Sequence, residues 1–595
     1  MTLSKEQQDF INTALNGDNI LVDACIGSGK TTVIQELCNL LPTDKKILYL
    51  TYNKLLKVDA KSKIKNKNVF VTNYHGFAYR FMCVNGLRPS SKSDLIQTFI
   101  YERPKIDAYD ILIIDEYQDI EEELSELLWY IKEQNTNMQI IAVGDIRQKI
   151  YDKTTLNVQE FIEEFLCYFT NIEFTQCFRL SNNLASSLGR IWNKKIVGIN
   201  NDCNVKIMKF DEIEQYLLTK NISDILCLGS RTGDMIQTLN KLEQHYPDKF
   251  NKNTVYASIK EQDGKVEPNK YCSIFTTYDS SKGLERPICV IFDFTKSYWQ
   301  LRNSKPMTKY EILRNIFCVA ASRGKQEIIF VEKSEPILDE NILSTYVSTD
   351  YNMSDVNMSS MFDFKYKEDI EDCYKLLDVQ QIQKKDTIIN IKDYDGLIDL
   401  SPCIGIYQEA MFFNRYNIDK QIELLQQTSN SRTIIIPHHW NIEQKILAIV
   451  AFETQQRRYI NQVEPPFITY SQKDEISNRL STIFNNNEEV QHKCSIRFKA
   501  PYNSQISKKQ LSFVARGRCD VIKDDEVYEL KFVSALSHEH FLQCACYMIG
   551  LELDTGYLWN IKDNEMYKIK IPNRLRFLDA VSKTITKRLF DHYEY

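Results

Sequence analysis

A short glycine-containing loop that directly follows an apolar strand constrains this chain more than any other feature. The run Ile20–Val22 leads into Asp23-Ala-Cys-Ile-Gly27-Ser-Gly29-Lys30-Thr31-Thr32. Glycine is scarce, with 18 in 595 residues, so two glycines this close together are informative. A strand, a glycine loop and a helix start together aim backbone N–H groups at bound phosphates. The pattern predicts a nucleoside triphosphate site in a parallel α/β domain.

Each residue of this loop has an expected role toward ATP and Mg²⁺. Lys30 is expected to reach the outer phosphates, and the Thr31 hydroxyl to hold Mg²⁺. Ala24 stands where the general phosphate-loop pattern has its first glycine. The remaining nucleotide-contacting positions of the loop are expected to be Gly27, Ser28, Gly29 and Thr32.

A second apolar strand ends in carboxylates. The run Tyr109–Ile114 is followed by Asp115 and Glu116. In phosphoryl transfer one carboxylate at a strand end helps to hold Mg²⁺, and a neighbouring group positions the attacking water. Asp115 is therefore the expected metal residue and Glu116 the expected catalytic residue.

Short β-branched runs alternate with amphipathic stretches from about residue 19 to residue 333, which is typical of parallel α/β sheets. The pattern restarts near residue 171, becomes polar at 340–385, and gives way to helices and then to hairpin-forming strands. The predicted domains are a first α/β domain (1–170), a second (171–335), a connector (336–385) and a C-terminal domain (386–595).

Further motifs resemble, in order, those of the superfamily 1 helicases of the UvrD/Rep type. The resemblance covers about residues 3–331 and implies two RecA-like P-loop domains that bind ATP and single-stranded DNA. The matching segments are Leu3–Gln7, Thr51–Lys54, Asn73–Phe77, Val143–Tyr151, Cys177–Arg179, Asp279–Glu285 and Val319–Gly324.

The resemblance also implies individual roles. Gln7 and Phe178 would contact adenine, Gln148 would sense the γ-phosphate, and Glu285 would meet the ribose. Arg179 and Arg323 would be the catalytic phosphate arginines. The residues that would contact DNA are Tyr52, Lys54, His75, Tyr151 and Lys282.

The chain departs from that family in several places. Thr32 stands where many relatives have an arginine, Asp279 replaces a histidine, and Lys153 takes the place of a base-stacking aromatic. Only about 33 residues separate Phe77 from Asp110. We therefore expect the accessory subdomains of the family to be reduced or missing.

The C-terminal region carries a second set of chemical groups. Asp520 ends one predicted strand, and Val527–Val533 is the return strand of a hairpin. Strand periodicity places Glu529 and Lys531 on one face, next to Asp520. Two carboxylates can hold Mg²⁺ or Mn²⁺, and the lysine can orient or deprotonate a water for phosphodiester hydrolysis.

This hairpin resembles the PD-(D/E)XK nucleases, whose domain is an α/β restriction-endonuclease-like fold. Gln543 and Tyr547 match the Q-x-x-x-Y feature of the RecB/AddA-like branch. The fold usually adds an acidic helix residue, for which Glu453 is our candidate and Glu443 the runner-up. No cysteine follows Cys546, so we expect no iron–sulfur cluster. Two histidines before this helix, His438 and His439, could touch metal or DNA or mark the helix start.

Composition excludes some classes. The 74 Lys and Arg residues against 80 Asp and Glu residues exclude binding of nucleic acid by bulk charge. The 16 cysteines contain no C-x-x-C pair, so we expect reduced core residues. With no apolar run of about 18 residues and no signal peptide in Met1–Leu15, we expect a cytoplasmic protein without membrane contact. The lysine-rich segment 54–67 could contact phosphates or be a solvated face.

Together these features predict an ATP-dependent DNA helicase or translocase, moving 3′ to 5′ by family resemblance, joined to a metal-dependent nuclease. Its expected partner is DNA with single-stranded parts, and the AddA-like layout leaves room for a partner subunit in DNA processing, repair or defence. Two alternatives stay open. One is a nucleotide-gated sensor that licenses the nuclease without unwinding, and the other is a DNA-binding scaffold with an inactive nuclease.

Overall fold

The computed structural model describes residues 3–52, 54–87, 95–257, 266–298, 310–337, 355–428, 436–437, 439–499 and 512–588. His438 therefore lies outside the described residues, and only the backbone of Lys54 is described. The chain divides into two compact units. The first comprises Met1–Asn204, Lys309–Gln326 and Asp339–Tyr346, and the second Val205–Thr308, Glu327–Leu338 and Val347–Tyr595.

The first sheet is parallel throughout and has the strand order β3-β2-β4-β5-β1-β6. Its strands are almost entirely buried in the centre, as expected when helices cover both faces. They are β1 Ile20–Ala24, β2 Ile47–Thr51, β3 Val69–Asn73, β4 Ile111–Asp115, β5 Gln139–Gly144 and β6 Thr170–Phe174. Because β6 pairs with β1, the first sheet extends past the boundary predicted at residue 170.

Helices precede and connect these strands. They are α1 Lys5–Leu15, α2 Lys30–Leu40, α3 Lys54–Lys63, α4 Tyr74–Val84, α5 Leu95–Glu102, α6 Glu122–Gln134 and α7 Val158–Leu166. A short pair, β7 Gln176–Cys177 and β8 Val197–Gly198, then encloses helix α8 Asn182–Trp192. The parallel sheets support the RecA-like domains predicted from the sequence.

The second sheet has the order β11-β12-β10-β13-β14-β9, and its central pairs are parallel. Its strands are β9 Asn204–Lys209, β10 Ile225–Gly229, β11 Val255–Ala257, β12 Ser273–Thr277, β13 Arg286–Ile291 and β14 Gly324–Glu332. The helices of this region are α9 Phe210–Leu218, α10 Asp234–His245 and α11 Tyr310–Ala320.

The third sheet is mixed, with the order β15-β20-β21-β22-β23-β16 and β19 paired to β20. Its strands are β15 Val356–Asn357, β16 Asp378–Gln383, β19 Glu489–Lys499, β20 Ser512–Lys523, β21 Glu526–Lys531, β22 Gly556–Asn560 and β23 Glu565–Lys570. A small separate hairpin joins β17 Tyr394–Asp395 to β18 Ile398–Asp399. Since β15 and β16 belong to the third sheet, the described second half of the predicted connector is part of the C-terminal fold.

Helices pack on both sides of this sheet, where two apolar clusters form its core. They are α12 Lys367–Tyr374, α13 Ser401–Phe412, α14 Ile418–Thr428, α15 Ile442–Thr454, α16 Arg458–Gln462, α17 Tyr470–Ser481, α18 His538–Gly550 and α19 Arg574–Ile585. Among the described residues, no helix combines the length and apolar character that a bilayer crossing requires.

Within the second unit, polar contacts join the second sheet region to the C-terminal fold. The guanidinium of Arg458 lies 3.1 Å from the Glu243 carboxylate of α10, and both side chains are buried. Arg458 also donates to the Val255 carbonyl at 2.8 Å. The Lys252 ammonium lies 2.9 Å from Asp395, so charged pairs fasten the two parts at two points.

Candidate nucleotide and metal sites

The phosphate loop adopts a conformation that depends on its two glycines. Gly27 has φ +67° and Gly29 φ +78°, in the left-handed region that side chains disfavour. A Cβ on Gly27 would also lie 2.9 Å from both Cys177 Sγ and Arg179 Cβ. Gly29 caps α2, whose first turn contains Lys30, Thr31 and Thr32. The sequence folds this way because glycine alone permits both the turn and the close packing of the Arg179 segment.

The Lys30 ammonium sits at the centre of the site. It lies 3.4 Å from Glu116 Oε2 and donates to Gln148 Oε1 at 3.4 Å. Burial opposes its charge, but the carboxylates of Glu116, Asp145 and Asp115 together raise the pKa of Lys30 above its usual value. The lysine therefore stays charged and ready for anionic phosphates.

Asp115 ends the buried strand β4 and is fully enclosed. Its Oδ2 accepts a hydrogen bond from the Tyr49 hydroxyl at 2.9 Å, whereas its Oδ1 is buried without a hydrogen-bond partner. Burial, and then repulsion from Glu116, raises the pKa of Asp115 to about 7. A buried carboxylate with an unused oxygen fits a divalent cation, which would satisfy that oxygen and favour the charged form.

Glu116 follows in a left-handed conformation, with φ +57°, which turns the chain sharply out of the strand. The Gln118 amide donates to Glu116 Oε2 at 2.6 Å, so the carboxylate is held beside Lys30. This is the arrangement expected of a group that receives a proton from water near the terminal phosphate.

Two of the residues implied by family resemblance to contact adenine lie around the same loop. Gln7, in a capping box with Ser4, donates to the Ser28 carbonyl at 3.0 Å. The Phe178 backbone N–H donates to the Gly27 carbonyl at 2.9 Å, and its ring is 41% exposed beside Gly29. A partly exposed aromatic ring at the loop edge is suited to stack on a base.

The two arginines are neighbours within the first unit. Arg179 Nη1 donates to the Ser322 carbonyl at 3.3 Å, and Arg323 Nε donates to the Val319 carbonyl at 2.7 Å. Arg179 adjoins the phosphate loop through Gly27, because the two backbones pack closely there. Glu285 and Lys282 belong to the second unit, where they follow the short helical turn Asp279–Ser281 and are half-buried.

The predicted DNA-contacting side chains of the first unit differ in exposure. His75 is exposed in the first turn of α4, whereas Tyr52 and Tyr151 are half-buried. Tyr52 and Tyr151 line one small pocket together with Lys149 and Lys153. The Lys153 ammonium lies 5.3 Å from the centre of the Tyr151 ring, within cation–π range.

The C-terminal groups form a second, separate cluster. Lys531 Nζ lies 2.7 Å from Glu529 Oε1 and donates to Gln543 Oε1 at 3.0 Å. Gln543 in turn donates to the Tyr547 hydroxyl at 2.8 Å, so the i,i+4 pair of α18 positions the lysine. Asp520 Oδ2 accepts from the Leu530 N–H at 2.8 Å, which fixes it beside Glu529 on the neighbouring strand.

Two residues of this cluster were missed at the sequence level. Glu409, on α13, is buried, and its Oε2 accepts from Gln491 Nε2 at 2.6 Å. The same Gln491 amide lies 3.5 Å from Asp520 Oδ1, so it bridges the two carboxylates. The available signal was an acidic residue on the buried face of a mostly apolar helix, which is rare unless the residue has a specific role.

The candidate helix residues named from the sequence lie elsewhere. Glu453 is exposed near the end of α15. Glu443 is buried, accepts from the Phe467 N–H at 3.0 Å and pairs with Lys473 at 3.0 Å. Glu409 is thus the helix carboxylate that the structure brings to Asp520. His439 is exposed just before α15.

The electrostatics of this cluster favour a cation. Burial, and then the charges of Glu409 and Glu529, raise the pKa of Asp520 well above its usual range. Burial likewise raises the pKa of Glu409 to about 7. Glu529 Oε2 is buried without a hydrogen-bond partner. These residues fit a divalent metal ion.

Within the described ranges, no three His, Cys, Asp or Glu side chains form a ready-made metal site. Mg²⁺ commonly takes only one or two protein carboxylates and fills its other positions with water and substrate phosphates. Asp520 and Glu529 can supply that number.

The phosphate loop, the acidic strand end and the adjoining arginine define a P-loop nucleotide-binding domain. Accordingly, residues 7–154 match the family model described as an AAA domain. The larger-scale relative is an ATP-dependent helicase/nuclease chain of Clostridium acetobutylicum, of the AddA type. It is 24% identical over 263 residues, an alignment that covers 40% of this chain and 20% of that protein. The chain thus spans about a fifth of the length of this curated relative.

Solved structures show weaker likeness. S. cerevisiae Dbp5 bound to Nup159 and Gle1 has a TM-score of 0.35 at 11% identity, covering 58% of this chain and 88% of Dbp5. Pif1 helicases unwinding forked double-stranded DNA have a TM-score of 0.29 at 13% identity, covering 57% of this chain and 94% of Pif1. The fold assignment therefore rests on the sheet order and the phosphate loop. The family match and the curated relative support the UvrD/Rep-like, ATP-binding helicase part of the prediction.

Proposed function

We propose that the chain is an ATP-driven DNA translocase or helicase whose C-terminal domain cuts DNA. The observation that carries the proposal is the pairing of Lys30 with both Glu116 and Gln148, because these groups belong to separate motifs of the motor. For the nuclease, the supporting observation is the buried Glu529–Lys531 pair next to Asp520.

In the motor, this chain's residues bind the triphosphate and move one proton. Lys30 neutralises the outer phosphates, Glu116 accepts a proton from the attacking water, and Arg179 stabilises charge on the transferred group. Asp115 and Thr31 would hold Mg²⁺, which when bound neutralises charge on the phosphate oxygens. The direction of travel, 3′ to 5′, is proposed from the family resemblance.

In the nuclease, Asp520 and Glu529, with Glu409 nearby, would hold Mg²⁺ or Mn²⁺. Such an ion stabilises the charge that develops on a phosphodiester during hydrolysis. Lys531 is positioned by Gln543 to orient the attacking water and to stabilise the charge that forms on it. The DNA substrate and a partner subunit of the AddA type are part of this proposal.

The short distance between the motifs favours a second candidate function. Between Phe77 and Asp110 the described residues form only the rest of α4 and helix α5, so this stretch contains no large accessory subdomain. A motor without such subdomains could act as a nucleotide-gated sensor that licenses DNA cleavage without processive unwinding.

The test compares wild type with Lys30→Ala, Glu116→Gln, Asp520→Ala and Lys531→Ala. Glu116→Gln is expected to bind ATP but to lose DNA-stimulated hydrolysis, and Lys30→Ala to lose both. Asp520→Ala and Lys531→Ala should keep the ATPase and lose cleavage, by about 100-fold for Lys531→Ala. EDTA should stop both activities.

Three outcomes decide between the candidates. Wild-type hydrolysis by Glu116→Gln would refute the motor, and wild-type cleavage by Asp520→Ala would refute the nuclease site. Displacement of a strand next to a 3′ overhang supports the helicase, whereas ATP-dependent cleavage without any displacement supports the sensor.

A further inference from the structure

A buried lysine that belongs to none of the recognised motifs reaches the nucleotide site. Lys194 follows α8 and is distant in sequence from both the phosphate loop and β5. Its ammonium lies 2.6 Å from Asp23 Oδ1 and 3.0 Å from Asp145 Oδ1. The Lys194 side chain is 7% exposed and that of Asp145 is 0% exposed. Lys194 therefore neutralises two carboxylates at the ends of the adjacent strands β1 and β5.

Asp145 passes this arrangement on to Gln148. Asp145 Oδ2 accepts from Gln148 Nε2 at 2.9 Å, and Asp145 Oδ1 accepts from the Arg147 N–H at 3.0 Å. The other end of the Gln148 amide, Oε1, accepts from Lys30 at 3.4 Å. An ionised carboxylate only accepts hydrogen bonds, so it fixes the NH₂ group of Gln148 toward Asp145 and the oxygen toward Lys30.

The charge of Lys194 keeps this arrangement in place. Asp145 also acts electrostatically on Lys30, which is the cation that must meet the phosphates. Without Lys194, Asp145 would be a buried carboxylate that lacks its closest counter-charge, a state that proteins avoid by moving a cation or taking up a proton. Either response disturbs Gln148 or draws Lys30 away from the phosphates.

We infer that Lys194 is a positioning residue for recognition of the terminal phosphate of a nucleoside triphosphate. It acts through Asp145 and Gln148 and does not itself touch the nucleotide. The inference rests on the proposed ATPase function of the same site. Its expected consequence is discrimination between nucleoside triphosphate and diphosphate, because only the triphosphate has the group that Gln148 is placed to meet.

The experiment measures the affinities of the full-length chain for fluorescent ATP and ADP analogues, together with kcat, KM and the unfolding temperature. Lys194→Met should lower the preference for ATP over ADP about tenfold, the size expected for a lost hydrogen bond to a charged group. The fall in kcat should exceed the rise in KM. Lys195→Met is the matched control, because it removes the same charge from the exposed neighbouring residue and should leave every value unchanged.

A double variant separates positioning from stability. Lys194→Met with Asp145→Asn removes both charges, so it should unfold at a higher temperature than Lys194→Met alone. It should not regain the preference for ATP, because an asparagine can donate as well as accept and no longer orients Gln148. If Lys194→Met does not fold, the double variant alone decides the question.

The possible results are distinct. An unchanged ATP-to-ADP preference in Lys194→Met, or in the double variant, overturns the inference. Recovery of the preference together with the unfolding temperature would reduce Lys194 to a structural role and also overturn it. If wild type binds neither nucleotide, the proposed function itself fails.

Discussion

At the residue scale, both candidate sites share one unusual feature. Asp115 and Glu529 are buried carboxylates, and each has one oxygen without a hydrogen-bond partner. Leaving such an oxygen buried and unsatisfied costs free energy, and a bound cation removes that cost. Each carboxylate also has a lysine close to it in space or charge, Lys30 near Asp115 and Lys531 at Glu529. The two sites are therefore built for divalent cations and phosphate by the same physical means.

His540 gives a test at the same scale. Its Nδ1 accepts from the Ser537 N–H at 3.0 Å at the start of α18, the helix that carries Gln543. Burial, and then the charge of Lys531, lower the pKa of His540 to about 3. The folded protein therefore keeps this histidine neutral where the unfolded chain, with a pKa of 6.5, takes up a proton.

We expect stability to fall as the pH drops from about 6.5 toward 3, because the unfolded state then binds more protons than the folded state. Thermal unfolding measured across this range should show a smaller decrease for His540→Gln than for wild type. The exposed His439→Gln serves as the control and should follow wild type. Identical pH profiles for wild type and His540→Gln would contradict the prediction.

At the element scale, the β20–β21 hairpin places the C-terminal site. The register pairs Lys523 with Glu526, so Asp524 and Asp525 form a two-residue loop. Their φ angles are +51° and +58°, as in the type I′ turn that suits the twist of paired strands. This turn fixes the register that brings Asp520 next to Glu529. A local irregularity in the neighbouring strand β19, where Gln491 has φ +59°, aims the Gln491 amide at the same carboxylates.

Asp525→Gly is expected to stabilise the protein by about 0.5 kcal/mol, because glycine adopts the left-handed conformation without strain. Asp525→Ala should destabilise it by about 1 kcal/mol, since alanine carries the Cβ without the local hydrogen bonding of aspartate. Urea denaturation of both variants measures the difference. Equal stabilities for the two variants would show that the turn is not strained.

At the scale of the whole molecule, the second unit contains both the second sheet and the C-terminal fold. The buried pair Arg458–Glu243 and the Lys252–Asp395 pair link them. Burial raises the pKa of Glu243 and Arg458 opposes that rise, so the pair has to remain intact for the carboxylate to stay charged. We expect the two parts to unfold together.

Arg458→Met should lower the free energy of unfolding by about 3 kcal/mol, because it leaves the Glu243 carboxylate buried without its partner. Adding Glu243→Met should recover part of this loss, since both charges are then absent. Arg457→Met, which changes the neighbouring and less buried arginine, is the control and should cost less than about 1 kcal/mol. Chemical denaturation of the four proteins provides the comparison. A loss in Arg458→Met no larger than that in the control would refute the role of this pair.

The sequence by itself determined the elements that depend on neighbouring residues. The phosphate loop, the carboxylates at the end of β4, the strand alternation and the hairpin of Asp520, Glu529 and Lys531 follow from short spacings and from the period of two along a strand. Such features depend on backbone geometry over a few residues, so a pattern in the chain suffices to place them.

Only the tertiary structure decided which distant residues complete the two sites. Lys194 reaches Asp23 across 171 positions, and Gln491 reaches Glu409 across 82. No local period records such contacts, because they arise when separate elements pack and buried charges must find partners. The same reason explains why Glu453 was chosen from the sequence and Glu409 emerged from the fold: an acidic helix residue is buried or exposed according to what packs against its helix.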